Sequence, residues 1–128
     1  MKATQASHPP DPASPLTPAV YQILIALAGG ECHGYAIMKD VLETTDGAVR
    51  MGPGTLYGTL KRMLDSGLIA EAGERQDPDP GEERRRYYKL TALGARAAST
   101  ETERMARIVR AATRRGLGGR PASNPSPA

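Results

Sequence analysis

Two groups of cations stand out in this chain: Lys61 with Arg62, and the run Arg84, Arg85 and Arg86. Around the first pair stand Thr55, Tyr57, Gly58 and Thr59, residues that are small or carry a hydroxyl. Such residues can grip an anion and offer hydrogen bonds to polar edges; none of them is set up to break a bond. A catalytic reading finds little to use. The chain shows no nucleophile-base-acid set, no phosphate-loop motif and no paired carboxylates beside an apolar run, so no enzyme activity is expected. Cys32 is the single cysteine, which excludes an intrachain disulfide framework and a multi-cysteine zinc site. Cys32 and His33 are adjacent and make a poor chelate, and the other histidine is the distant His8. Neither a metal nor a cofactor is expected. A thiol near a helix start can have a lowered pKa and sense oxidants; for Cys32, burial is the simpler reading.

Composition narrows the partner. The 128 residues carry a net charge of +3 and a pI near 9.2, which suits an anionic partner. The charge is uneven: Glu71 to Glu83 is acidic, whereas Arg84 to Arg115 is basic apart from Glu101 and Glu103. Phenylalanine and tryptophan are absent, so the core is small and burial against a second subunit would help it. No apolar run has the roughly 18 residues of a membrane span, and the N-terminus lacks a secretory pattern. A cytoplasmic protein without membrane contact is expected.

The elements that must hold the cations follow from local signals. Residues 1–15 and 116–128 are rich in proline, serine, alanine or glycine and read as disordered tails. Thr17-Pro18 starts a helix whose stripe is Val20, Ile23, Leu24 and Leu27, and Gly29-Gly30 stops it. A second helix runs from His33-Gly34 to Asp46-Gly47 with Ile37, Met38, Val41 and Leu42 on one face. The third opens on Gly52-Pro53-Gly54, buries Leu56, Leu60, Met63 and Leu64, and ends at Ser66-Gly67. Leu68–Arg75 and Arg84–Leu90 read as two strands joined by a tip containing Asp77, Asp79, Glu82 and Glu83. Tyr87 and Tyr88 should face opposite sides of the return strand. Thr91 caps a last helix over 92–115, on which Ala98, Thr102, Met105, Val109 and Ala112 form a seam for another helix. The fold expected is mainly α with a small β-hairpin: a winged helix-turn-helix over 16–91 plus a C-terminal dimerisation helix.

Gly-Pro-Gly now makes sense at a helix start. Pro53 needs no amide partner in the first turn and its fixed φ suits a helix. Gly52 serves as N-cap with an unusual backbone angle, and Gly54 leaves the first turn bare. The exposed amides and the positive end of the helix then suit a phosphate at close range. Thr55, Gly58, Thr59 and Arg62 lie off the main stripe and can face a groove. Each feature has a bland reading: turn chemistry for the glycines, core packing for Tyr57, a solvated strand end for the arginines. Together they fall where a winged helix presents its DNA surface.

The segments "HGYAIMKDVL", "GPGTLYGTLKRMLDSGLI" and "RRRYYKLTALG" resemble, in order and spacing, the PadR-like transcriptional regulators, over about Thr17 to Gly94. The chain is similar to the compact branch of that family, which lacks a large C-terminal domain. The resemblance implies a homodimer whose third helices enter successive major grooves of a palindromic duplex operator, usually to repress. It also implies release by a small phenolic or drug-like effector near the dimer interface. Carried over by motif, Tyr35 is a phosphate or helix-support contact. Pro53, Gly54, Thr55 and Tyr57 start the recognition helix, Lys61 and Arg62 extend its polar side, and Arg84, Arg85 and Arg86 sit at the base of the wing. The acidic tip departs from what phosphate would favour and should point away from it. The alternative from another class is a winged-helix protein-interaction module that never touches DNA, which salt-dependent duplex binding would separate from the first.

Overall fold

The computed structural model describes residues 15–76 and 84–119. The expected tails fall largely outside this range, and the four wing-tip carboxylates wholly so. The order of elements is α1 (Pro18–Ala28), β1 (Cys32–His33), α2 (Gly34–Thr44), α3 (Pro53–Asp65), β2 (Ile69–Gln76), β3 (Arg84–Leu90) and α4 (Ala92–Arg114). It is mainly α with one small antiparallel sheet of order β1-β3-β2.

The helix starts come from their caps. The Thr17 hydroxyl accepts from Val20 N at 3.3 Å, His33 Nδ1 accepts from Ala36 N at 3.2 Å, and Thr91 Oγ1 accepts from Gly94 N at 3.0 Å. Each satisfies an amide that the first turn leaves without an intrahelical partner. α3 begins differently. Gly52 makes no side-chain cap, and its φ of −76° is ordinary extended backbone, which corrects the unusual angle expected there; Pro53 alone supplies the preorganised first turn. After Ser66, Gly67 has φ +83°, the left-handed turn that lets the chain reverse into β2.

The core is aliphatic. Ile23, Leu24 and Leu27 from α1, Ile37 and Val41 from α2, and Leu56, Leu60 and Met63 from α3 meet Ile69 and Tyr88 of the sheet and Ala97 of α4. Burial of each large side chain contributes about 1.5–3 kcal/mol, so the three-helix junction carries most of the apolar stabilisation. Tyr88 is thus the inward member of the tyrosine pair.

Two details were not anticipated. The sheet has a third strand, because Cys32 and His33 pair with Tyr88 and Tyr87; this adds a short edge strand to the expected hairpin. β2 also carries a bulge between Glu71 and Glu74, where Gly73 takes φ +96°, bending the wing strand.

Candidate nucleic-acid interface

α3 presents the residues expected of a reading helix, with one correction. Pro53, Gly54, Thr55, Lys61 and Arg62 are exposed, Tyr57 is about half exposed at 48%, and Gly58 is half-buried. A Cβ on Gly58 would meet only Arg62 Nη1, at 3.8 Å, so a larger side chain there has room within the chain and would project outward. Thr59, expected on the outer face, is only 2% exposed. Its spacing from Leu56 and Met63 puts it on the buried stripe, and its hydroxyl donates to Thr55 O at 2.8 Å. A hydroxyl can be buried on a helix in this way without losing its hydrogen bond. Thr59 still serves the outer face indirectly, because Arg62 Nη2 donates to its Oγ1 at 3.2 Å. Lys61 stands 3.8 Å from Asp65, both highly exposed, a pair of little energetic weight.

The neighbouring surface comes from α2 and the sheet. Tyr35 is 51% exposed; Lys39 Nζ lies 5.9 Å and Arg85 Cζ 5.6 Å from its ring centroid. These cations approach the electron-rich face of a ring that can itself support a backbone contact. His33 lies between Tyr35, stacked at 6.4 Å, and Tyr87, edge-on at 5.2 Å. Because Nδ1 accepts the Ala36 amide, His33 works as a cap through a bare ring nitrogen.

The three wing arginines differ in their surroundings. Arg84 Nη2 donates to Glu74 O at 3.0 Å. Arg86 lies 3.6 Å from the Glu71 carboxylate and 3.4 Å from that of Glu74, its cross-strand partner. The Glu74 hydrogen bond, with Glu71 and Tyr88 beside it, pushes the Arg86 pKa up further. Burial pushes the Tyr88 hydroxyl up, opposed by Arg86. Arg85 turns toward Tyr35 and, with Arg84, Arg86, His33, Gly34 and Tyr57, lines a polar cavity of about 210 Å³. A further arginine, Arg75, escaped the sequence reading. It lies 4.1 Å over the Tyr87 ring and 2.6 Å from Glu31, and only the cross-strand register brings these three together.

The remaining expected sites lie on α4. Thr102 Oγ1 shares a 2.6 Å hydrogen bond with Tyr21 Oη, so this part of the seam packs on α1 of the same chain. Beyond it, Met105, Ile108 and Val109 are 40%, 51% and 60% exposed, while Ala98 and Ala112 are half-buried. Ile108 was missed because it lies beside the four-and-three repeat. Cys32 is partly buried, and that burial, with Asp40 nearby, pushes its pKa up; its thiol faces Gly30 O at 3.5 Å. Both effects oppose the thiolate a redox sensor needs. Among the described residues no group of three histidine, cysteine or acidic side chains could hold a metal, and no helix is long and apolar enough to cross a membrane.

Three helices, a sheet edge that returns beside the third helix, and a cationic surface shared between them define a winged helix-turn-helix. The chain belongs to the PadR-like family of transcriptional regulators, whose model matches residues 23–100. Its fold is similar to that of a PadR family transcription regulator from Clostridium difficile, 25% identical with a TM-score of 0.61, over 75% of this chain and 95% of that one. A transcriptional regulator from Clostridium thermocellum has 24% identity and a TM-score of 0.61 over 78% of this chain and 90% of that one. A PadR-like regulator from Bacillus cereus reaches 0.64 at 19% identity, over 78% and 92% of the two chains. In sequence, the chain is 38% identical over 86 residues to an uncharacterised 37.1 kDa protein in transposon TN4556 of Streptomyces fradiae, covering 67% of this chain and 22% of that protein.

Proposed function

We propose that the protein binds duplex DNA as a homodimer and regulates transcription by repression. The observation that carries this reading is that one helix joins two cationic groups: α3 exposes Thr55, Lys61 and Arg62, and its Tyr57 lines the same cavity as Arg84–Arg86. Two such surfaces related by a twofold axis suit successive major grooves of a palindromic operator. In this reading Arg62 and Thr55 meet base edges, and Tyr35 and the β3 arginines meet phosphate, which positions without specifying.

The second subunit covers the exposed apolar strip Met105, Ile108 and Val109 of α4. A small effector has a place beside the same helix, in an apolar cavity of about 240 Å³ lined among others by Leu16, Tyr21, Ile25 and Met105. Drug-sized ligands take sites of about 300–1,000 Å³, so a ligand here is either small or held jointly with the partner subunit.

Selection of bound fragments from genomic DNA, followed by titration at several salt concentrations, tests the reading. Specific binding should weaken steeply with salt as counterions are released. Affinity for duplex that is absent, or indifferent to salt, would favour the protein-interaction module. The dimer has its own test. Met105→Asp with Val109→Asp puts charges on the strip that a partner must bury, and sedimentation should then give a monomer that has lost operator affinity. An unchanged dimer would move the interface elsewhere.

A further inference from the structure

The polar cavity beside α3 is bordered by three separate units: the first turn of α2 at Gly34, the second turn of α3 at Tyr57, and β3 at Arg84–Arg86. Tyr57 reaches it only because Gly34 has no side chain. A methyl group on Gly34 would overlap the Tyr57 hydroxyl and stand 2.7 Å from Cζ. The φ of Gly34 is not one that favours glycine, and the obstacle to alanine is the far end of one half-exposed side chain. Folding therefore does not require glycine here. The position of the Tyr57 hydroxyl does.

We propose that this cavity seats a single phosphate of the DNA backbone, held jointly by the Tyr57 hydroxyl and the β3 arginines, with Gly34 as the gap that admits the hydroxyl. The inference rests on the DNA-binding reading above and adds a defined site to it. At about 210 Å³ the cavity has room for a phosphate group with several waters, each water occupying about 30 Å³ in the liquid. Its lining includes three arginines and a tyrosine, and charge-assisted hydrogen bonds from guanidinium groups to phosphate are the strong ones. A phosphate bound there touches the reading helix and the wing at once, and so fixes the angle between them on the duplex. Tyr57 is then a positioning contact, and its neutral hydroxyl releases no counterion.

The test uses the full chain and its selected operator. Tyr57→Phe removes only the hydroxyl and should weaken binding roughly tenfold, with the salt slope unchanged, whereas losing a phosphate-binding cation lowers that slope. Gly34→Ala should weaken binding to the same extent without lowering the melting temperature. The double variant should lose no more than either single one, because both act through one seat. Duplexes with one neutral methylphosphonate at each backbone position in turn should show a strong penalty at the seated phosphate of each half-site for the parent, and Tyr57→Phe should lose much of the penalty at that position alone. Single variants that bind like the parent, losses that add in the double variant, or an unchanged methylphosphonate pattern would overturn the seat while leaving DNA binding intact. A parent that shows no salt-dependent duplex binding would overturn the DNA reading and the seat with it. If Gly34→Ala melts early, Tyr57→Phe with the methylphosphonate series decides alone.

Discussion

Gly34 and Gly94 are both buried glycines in the first turn of a helix, and at both a methyl group would collide with a neighbour. The neighbours differ in kind. At Gly34 the obstacle is the tip of the Tyr57 side chain, which can swing into solvent. At Gly94 it is the backbone: an added Cβ would overlap Leu68 O and lie 3.0 Å from Leu68 C. The same Leu68 carbonyl also anchors Thr91, whose hydroxyl reaches Leu68 O at 3.0 Å and the adjacent Gly67 O at 2.6 Å. One close approach leaves a surface open for a ligand; the other ties α4 to the turn between α3 and β2.

Alanine at both positions exposes that difference most sharply. Gly94→Ala must push α4 away from a backbone already held by Thr91, and overpacking of this kind costs about 1–3 kcal/mol, occasionally more. For a domain of this size about 3 kcal/mol lowers the melting temperature by roughly 12–24 °C, measured by thermal denaturation. Gly34→Ala should leave the melt where it is or raise it. Equal melting shifts in the two variants would erase the distinction.

A second, smaller contrast lies along α4 itself, between its buried acid and its exposed apolar end. Glu101 is 3% exposed; it receives Arg104 Nη2 at 2.5 Å and the Leu16 amide at 3.3 Å. The Arg104 hydrogen bond is the main cause that holds its carboxyl below the usual range; burial opposes it and the Leu16 amide assists it. A carboxyl whose pKa is lower folded than unfolded stabilises the fold fully above the ordinary carboxylate range. That contribution is lost as pH falls through the lowered value. Glu101→Gln should therefore be less stable than the parent near neutrality, with the gap closing in acid. Urea unfolding across a pH series checks this, and a gap that is constant with pH would remove Glu101 from the acid response.

The sequence disclosed what is local. Thr17, His33-Gly34, Ser66-Gly67 and Thr91 mark helix ends through bonds made within three to five residues, and Pro53 marks one through its fixed φ; the helices start and stop where those residues stand. Non-local pairings stayed hidden. A two-residue strand at Cys32-His33 exists only because Tyr87 and Tyr88 arrive beside it, and nothing in two residues announces that. Thr59 was misplaced because counting apolar letters skips a hydroxyl that satisfies itself on Thr55 O. Glu101 stood out in the sequence only as an exception in a basic run, since neither Arg104 nor the distant Leu16 amide marks it as buried. In the candidate interface, the residue types were legible from spacing, but the partners that distinguish Arg84, Arg85 and Arg86 depend on strand register.

The smallest effect sharpens the comparison between surface that is held and surface that is open. Arg86 faces the anionic partner in this reading, yet Glu71 and Glu74 already attend it. Exposed ion pairs are worth about 0.2–1 kcal/mol, so a phosphate can displace these carboxylates, though at some cost. Glu74→Gln removes one competing charge, retains the backbone carbonyl that holds Arg84, and takes a like charge away from the duplex. It should tighten operator binding by about twofold to fivefold, most visibly at low salt, where screening is weakest. Glu103→Gln changes net charge equally from an exposed position on α4 and serves as the control. If both variants tighten binding alike, net charge alone accounts for the gain. If only Glu74→Gln does, the wing carboxylates moderate a phosphate contact made by Arg86. Weaker binding by Glu74→Gln would mean that Glu74 orients Arg86 toward phosphate, making this pair a held surface like that at Gly94.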